Sequence, residues 1–276
     1  MIGYYGGKTW LGKKLNNLPI PKKEGFIDVF TGGGSMTDWA YPRYNKLVIN
    51  DIDTNLILFY KYCKEDPDGV IAEVEKVRQR TLEDTHCLKC KELKEVAKGD
   101  YPDIVKAAYV YVGSKTAFGA KVYDCPTQEH ILEFNKQNHK QIIYNLRRTL
   151  VKCEINNLDY KDLLDKYKDK DYLCYFDPPY FRVADNNYYG VNGENHKGFD
   201  HYELLDIIKQ QDKLGKQFMI SYEWSDEIRE MYKGFNHFKI EKITTAASDD
   251  YNVKKYTPEI LITNFELKQI KKRYLI

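Results

Sequence analysis

The stretch Tyr175-Phe176-Asp177-Pro178-Pro179-Tyr180 sets a carboxylate, two rigid residues and an aromatic ring in a row behind an apolar run. A carboxylate can accept a proton from an amino group. A phenol ring can stack on another planar system. Two prolines fix the backbone just past a strand, where the ligand crevice of an open α/β sheet lies. A turn that merely ends a strand is the plain alternative, and two upstream segments weigh against it.

The first is Asp28-Val29-Phe30-Thr31-Gly32-Gly33-Gly34, which follows the apolar start of a short run. Glycines at a strand-to-helix turn let the backbone approach a ligand closely. Alone, a structural turn would explain them equally well. No Gly-Lys-Ser/Thr follows, so the segment is not a P-loop. The second is Asn50-Asp51, at the end of the next apolar run. An acid about 20 residues past a glycine turn commonly bonds ribose hydroxyls, and a helix N-cap is the alternative.

These residues need a sheet to bring them together. Apolar runs predict strands at 25–30, 46–51, 151–156, 172–177, 217–222, 236–244 and 258–265, with helices at 201–213 and 225–233. The close spacing of the last two strands predicts an antiparallel hairpin. Strand, glycine turn, helix, strand and acid, in that order, form a nucleotide-binding βαβ pattern.

From about 62 to 150 the character changes. Residues 70–97 are charged and helical in pattern, 131–150 predicts another helix, and between them lies the Gly/Lys/aromatic stretch Tyr111 to Gly119. The reading is a catalytic domain of residues 1–61 and 151–276, interrupted by a helical insert over 62–150. Phe181 to Phe199 is rich in Asn, Gly and Tyr without periodicity, as expected of a functional or disordered loop.

Composition narrows the classes. The 276 residues are 42% hydrophobic, which fits a globular chain. No apolar run reaches membrane-spanning length, and Met1 to Lys8 lacks an apolar signal core, so a cytoplasmic location is expected. The six cysteines show no paired framework and are expected to be reduced. Cys87 and Cys90, with only His86 nearby, are too few for zinc, and no metal is expected. Net charge is +2, yet His86 to Lys152 holds 12 Lys+Arg against 7 Asp+Glu. That segment is either a solvated face or a site for an anionic partner. The 24 Tyr lean towards nucleic acid, since Tyr stacks on bases.

With these motifs in this order, the chain resembles the Dam-type, class alpha N6-adenine DNA methyltransferases. The resemblance also covers Tyr4-Tyr5-Gly6-Gly7-Lys8, Asn157-Leu158-Asp159-Tyr160, Ser221-Tyr222 and Glu259 to Asn264. The chain departs from some members in carrying Gly3 where they carry Lys.

The resemblance implies a Rossmann-like S-adenosylmethionine-dependent sheet with an antiparallel C-terminal hairpin and an inserted helical target-recognition domain. It implies methyl transfer from S-adenosyl-L-methionine to N6 of an adenine flipped out of double-stranded DNA. Asp177 and the Pro178 carbonyl would accept the N6 protons, Pro179 would hold the turn, and Tyr180 would stack on the base. Tyr4, Tyr5, Gly6, Lys8, Asp28, Phe30, Gly32, Gly34, Asp51, Asp159 and Asp177 would surround the cofactor, Asp51 at its ribose and Asp159 at its adenine amine. Lys115, Lys121, Lys136, Lys140, Arg147 and Arg148 of the insert are candidate DNA contacts, with Phe199 a candidate second face for the base. A monomer or weak dimer is expected, and a cognate restriction endonuclease is a candidate partner. RNA adenine or a protein glutamine as acceptor, and a catalytically silent binding module, are the alternatives.

Overall fold

A computed structural model describes residues 2–4, 6–180, 198–245 and 254–267. The apolar runs form one sheet. Strands β1 (Gly25–Asp28), β2 (Lys46–Asn50), β3 (Cys153–Asn156), β4 (Tyr172–Phe176) and β5 (Phe218–Glu223) are mutually parallel. Strands β6 (Asn236–Thr245) and β7 (Lys254–Thr263) form an antiparallel hairpin, and β7 adds antiparallel to β5. The order is β3-β2-β1-β4-β5-β7-β6, so chain direction across the sheet reverses between β1 and β4. Such a reversal opens a crevice at the carboxyl ends of those strands.

Alternating side chains send each strand into two cores. Phe26 faces a core with α1 (Thr9–Leu15), α2 (Ser35–Ala40) and α3 (Thr54–Glu65), while Ile27 faces a core with α9 (Tyr160–Lys166), α10 (His201–Lys213) and α11 (Asp226–Met231). Burial on both faces explains why β1 and β4 read as unbroken apolar runs.

The 62–150 segment folds as α4 (Pro67–Glu83), α5 (Cys90–Lys98), α6 (Asp103–Thr116), α7 (Gln128–Lys136) and α8 (His139–Leu150). Its boundary at 61/62 falls inside α3, and Val70, Val74, Tyr111, Phe134 and Ile143 join Phe59 and Tyr60 in one core. The 131–150 helix is broken, because the Asn138 side chain caps a new start by accepting from the Gln141 N–H. The 70–97 pattern is likewise broken between Glu83 and Cys90. Tyr111 to Thr116 is the last part of α6, which buries Ala107, Ala108 and Val110 to Ser114 in succession. A helix buried nearly all round carries no 3.6-residue pattern to detect.

The expectation of unpaired, reduced cysteines is corrected: Cys90 is disulfide-bonded to Cys125. The chain folds back after α6 and brings Cys125 to the start of α5, with the two Cα atoms 4.3 Å apart. Among the described residues, no helix is long and apolar enough to cross a membrane.

Candidate active site

The site is built at the β1/β4 reversal. After β1 the chain turns sharply, with Gly32 at φ 47° and Gly34 at φ 74°, a left-handed conformation that glycine adopts without strain. Thr31 fixes the turn: its hydroxyl donates to the Asp28 carbonyl at 2.9 Å and its N–H to the Asn50 carbonyl at 2.9 Å. A side chain at Gly33 would strike Tyr4, with its Cβ 2.6 Å from that of Tyr4, so the amino-terminal segment lies directly on the turn.

Asn50, buried at the end of β2, bonds three ways. Its amide donates to the carbonyls of Val29 and Leu158, and its side-chain oxygen accepts from the Leu158 N–H. It thereby ties the ends of β1 and β2 to the loop after β3. Asp51 follows, with Oδ2 accepting from the Gly32 N–H and Oδ1 from the Asp53 N–H. Asp53 caps α3 and accepts from the Tyr123 hydroxyl at 3.0 Å on each oxygen.

Across the crevice, Asp177 leaves β4. Its Oδ1 accepts from the Ser221 hydroxyl at 2.8 Å, and Ser221 shares a 2.7 Å hydrogen bond with the Tyr175 hydroxyl. Lys8 Nζ lies 2.9 Å from both Asp177 oxygens, 4.0 Å from Glu259 and 4.9 Å over the Tyr180 ring.

Lys8, Asp28, Asp53 and Glu259 are buried and Asp51 and Asp177 partly so, and their charges matter accordingly. Burial works against the Lys8 ammonium, but Asp177 and Glu259 outweigh it and push its pKa up. Burial, helped by Asp177 and Asp51, pushes Asp28 up to about 8, against the bond donated by Thr37. Burial also pushes Asp51 up, and burial plus Asp51 pushes Asp53 up to about 6.

One pocket gathers Tyr4, Gly6, Lys8, Asp28, Phe30, Gly32, Gly34, Asp51, Asp159, Asp177 and Pro179, together with Asn50, Leu158 and Tyr160, which belong to the same motifs but had no role assigned from sequence. Tyr180 stands beside it over Lys8. Tyr5 and most of the 181–199 loop lie outside the described residues. Phe199 lines the pocket, 5.7 Å from the Phe30 ring and 5.9 Å from the Tyr160 ring. Ser221 and Glu259 had no role assigned from sequence, because their partners Asp177 and Lys8 are distant in the chain.

The basic residues of the insert do not form one surface. Arg147 and Arg148 occupy the last turn of α8, which feeds the amino end of β3. That is the opposite end of the parallel sheet from Asp177, and Arg147 Nε donates to the Lys64 carbonyl. Both arginines lie at the end of the sheet away from the crevice. Lys115 is half-buried over the Tyr111 ring, and burial lowers its pKa. Lys136 pairs with Glu133, and Lys140 is exposed. Lys121 lies on the 117–126 loop, which reaches Asp53 at the crevice end of β2.

This geometry joins a glycine turn, a ribose-type acid and an Asp-Pro-Pro-Tyr corner at one switch point. The sequence profile of the D12 class N6 adenine-specific DNA methyltransferases matches residues 4–246. The chain belongs to that family. It is 28% identical over 283 residues to the type II methyltransferase M1.LlaDCHI of Lactococcus lactis subsp. cremoris, covering 94% of this chain and 93% of the relative. It is 26% identical over 263 residues to the type II methyltransferase M.MjaIII of Methanocaldococcus jannaschii, covering 87% and 89%. As a D12-class enzyme, the protein is a site-specific adenine DNA methyltransferase, a transferase of the kind found in restriction-modification systems.

Proposed function

We propose that S-adenosyl-L-methionine is the methyl donor and that Asp177, Pro178 and Tyr180 present the target adenine to it. The observation that carries this reading is the Asp177 carboxylate. Ser221 and Lys8 fix it at a pocket that is otherwise acidic and aromatic.

The lining suits such a donor. Asp28, Asp51, Asp159 and Asp177 surround the pocket, and Lys8 is the single cation among the lining residues. With Asp28 mostly protonated below about pH 8 and Asp177 paired with Lys8, Asp51 and Asp159 are the acids left to favour a cationic sulfonium. Phe30, Tyr160 and Phe199 make an aromatic wall fit for an adenine ring. Asp51, held by two backbone N–H groups, keeps lone pairs for ribose hydroxyls. When bound, the donor would supply an electrophilic methyl group.

The protein's part is to make N6 a nucleophile. The adenine amino lone pair is delocalised into the ring. Asp177 accepts one N6 proton and the Pro178 carbonyl the other, which favours a tetrahedral nitrogen with its lone pair free. Both bonds strengthen as positive charge develops on N6, so they act on the transition state. Prolines 178 and 179 hold the corner, which is positioning rather than covalent chemistry. Tyr180 stacks on the extruded base and offsets part of the flipping cost.

Double-stranded DNA is the substrate on this reading, read in part by the insert over 62–150. Lys121, on the 117–126 loop that reaches Asp53 at the crevice end of β2, is the strongest candidate for a phosphate contact. The enzyme acts in the cytoplasm as a monomer or weak dimer, alongside a cognate endonuclease. Tritiated S-adenosylmethionine offered with duplex DNA, RNA and protein tests the whole reading. Label confined to DNA, recovered as N6-methyladenine, is expected; label on RNA or glutamine would overturn it.

A further inference from the structure

We propose that Tyr123 is a positioning residue for the cofactor-binding carboxylate Asp51, and that through it DNA contact with the 117–126 loop raises cofactor affinity. The inference rests on the reading above, in which Asp51 holds the cofactor and this loop meets DNA.

The loop has two ends with opposite exposures. Outwards, Phe118 is 67% exposed. Inwards, Tyr123 is buried and its hydroxyl lies 3.0 Å from both Asp53 oxygens. Between them the loop is braced throughout. Ala117 bridges to Pro126, the Phe118 N–H bonds the Cys125 carbonyl, and Cys125 is bonded to Cys90. A Cβ at Gly113 would lie 1.9 Å from the Val122 carbonyl oxygen, so that glycine alone lets the loop close against α6. A braced loop transmits a displacement at its tip to its base.

From Tyr123 the connection is short. Tyr123 grips Asp53. The Asp53 carboxylate accepts from the Asn55 and Leu56 N–H groups and so starts α3. The Asp53 N–H bonds Asp51 Oδ1, while the Gly32 N–H bonds the other oxygen. Two donors thus orient Asp51, one from the glycine turn and one from the residue that Tyr123 holds. Losing the Tyr123 bond leaves Asp53 buried beside a second carboxylate, and Asp51 loses a fixed partner.

Because coupling between two ligands is reciprocal, it is read from one side. Calorimetry with sinefungin is run on the full chain, alone and with a duplex carrying the enzyme's own mapped methylation site. In the wild type, the duplex should tighten sinefungin binding by about tenfold, within the usual range of coupling between sites. In Tyr123→Phe, binding without DNA should weaken several-fold and the tightening should fall towards one. Single-turnover transfer at saturating cofactor and DNA should change little. Tyr111→Phe removes another buried hydroxyl bond of the insert, that to His139, and should lower the melting temperature without altering the tightening. An unchanged tightening in Tyr123→Phe, or equal losses in both variants, would overturn the proposal. If Phe118→Ala and Lys121→Ala leave duplex affinity unchanged, the DNA contact of the loop fails instead. The effect of Tyr123→Phe on sinefungin alone then decides its positioning role.

Discussion

Lys8 and Asp177 stand 169 positions apart in the chain, yet the Lys8 ammonium sits 2.9 Å from both oxygens of the Asp177 carboxylate. The pair joins the amino-terminal segment to the end of β4 across the switch point. Lys8 is buried and Asp177 partly so, and the neighbouring buried Glu259 leaves the group with an excess negative charge.

Lys8→Met should therefore damage more than one contact. Removing one member of a buried charge pair leaves the others uncompensated, at a cost of about 3–5 kcal/mol. Asp177 would lose the cation that orients both of its oxygens. Methyl transfer should fall at least a hundredfold. A rate matching the wild type would show that Lys8 does not position Asp177.

Ser221→Ala tests the second support of Asp177. The Ser221 hydroxyl donates to Oδ1 and is itself backed by Tyr175. Loss of one oriented donor should lower kcat roughly tenfold to a hundredfold, a smaller effect than losing the oxyanion-hole donors of hydrolases. KM for the cofactor should change less than threefold, and Ser221→Thr should restore most of the rate. An equal loss in Ser221→Thr would point to packing rather than the hydroxyl.

How far the sequence reaches is visible in these residues. Asp177, Asp51 and the glycine turn were legible because each sits at a strand end in a recognisable local pattern. Their ligand-side neighbours were legible only as blocks of resemblance. Ser221 and Glu259 gain meaning from Asp177 and Lys8, and such long-range pairings leave no local trace. Helix α6 was missed because its burial erases periodicity, and the Cys90–Cys125 pair because connectivity depends on a fold-back after α6. Arg147 and Arg148 stand out by charge alone, and charge does not say which end of a helix faces the crevice.

Asp28 predicts a pH dependence of stability. Its folded pKa is raised from 3.8 to about 8, chiefly by burial. A raised carboxyl favours folding when protonated. Its contribution is complete below about 4 and is lost as pH climbs to about 8, then stays constant. Asp28→Asn removes this titration. Its melting temperature should gain on the wild type steadily across that window and no further above it. Parallel curves for the two proteins from pH 4 to 9 would mean that Asp28 ionises normally.

Phe199→Ala separates the two roles assigned to that ring. It packs against Phe30 and Tyr160, the wall proposed above for the cofactor adenine. Losing base–aromatic stacking costs about 1–3 kcal/mol, so S-adenosylhomocysteine binding should weaken roughly 5- to 150-fold. Duplex affinity measured without cofactor should stay within twofold. The reverse pattern would return Phe199 to the target base.

The central claim is that Asp177 acts on N6 at the transition state rather than as a cofactor anchor. The direct measurement is single-turnover methyl transfer by Asp177→Ala, paired with calorimetric binding of S-adenosylhomocysteine. Transfer below about one hundredth of wild type, with binding within about threefold, is the result predicted. A variant that keeps more than a tenth of the wild-type rate, a loss under about 1.4 kcal/mol of barrier, would contradict the account.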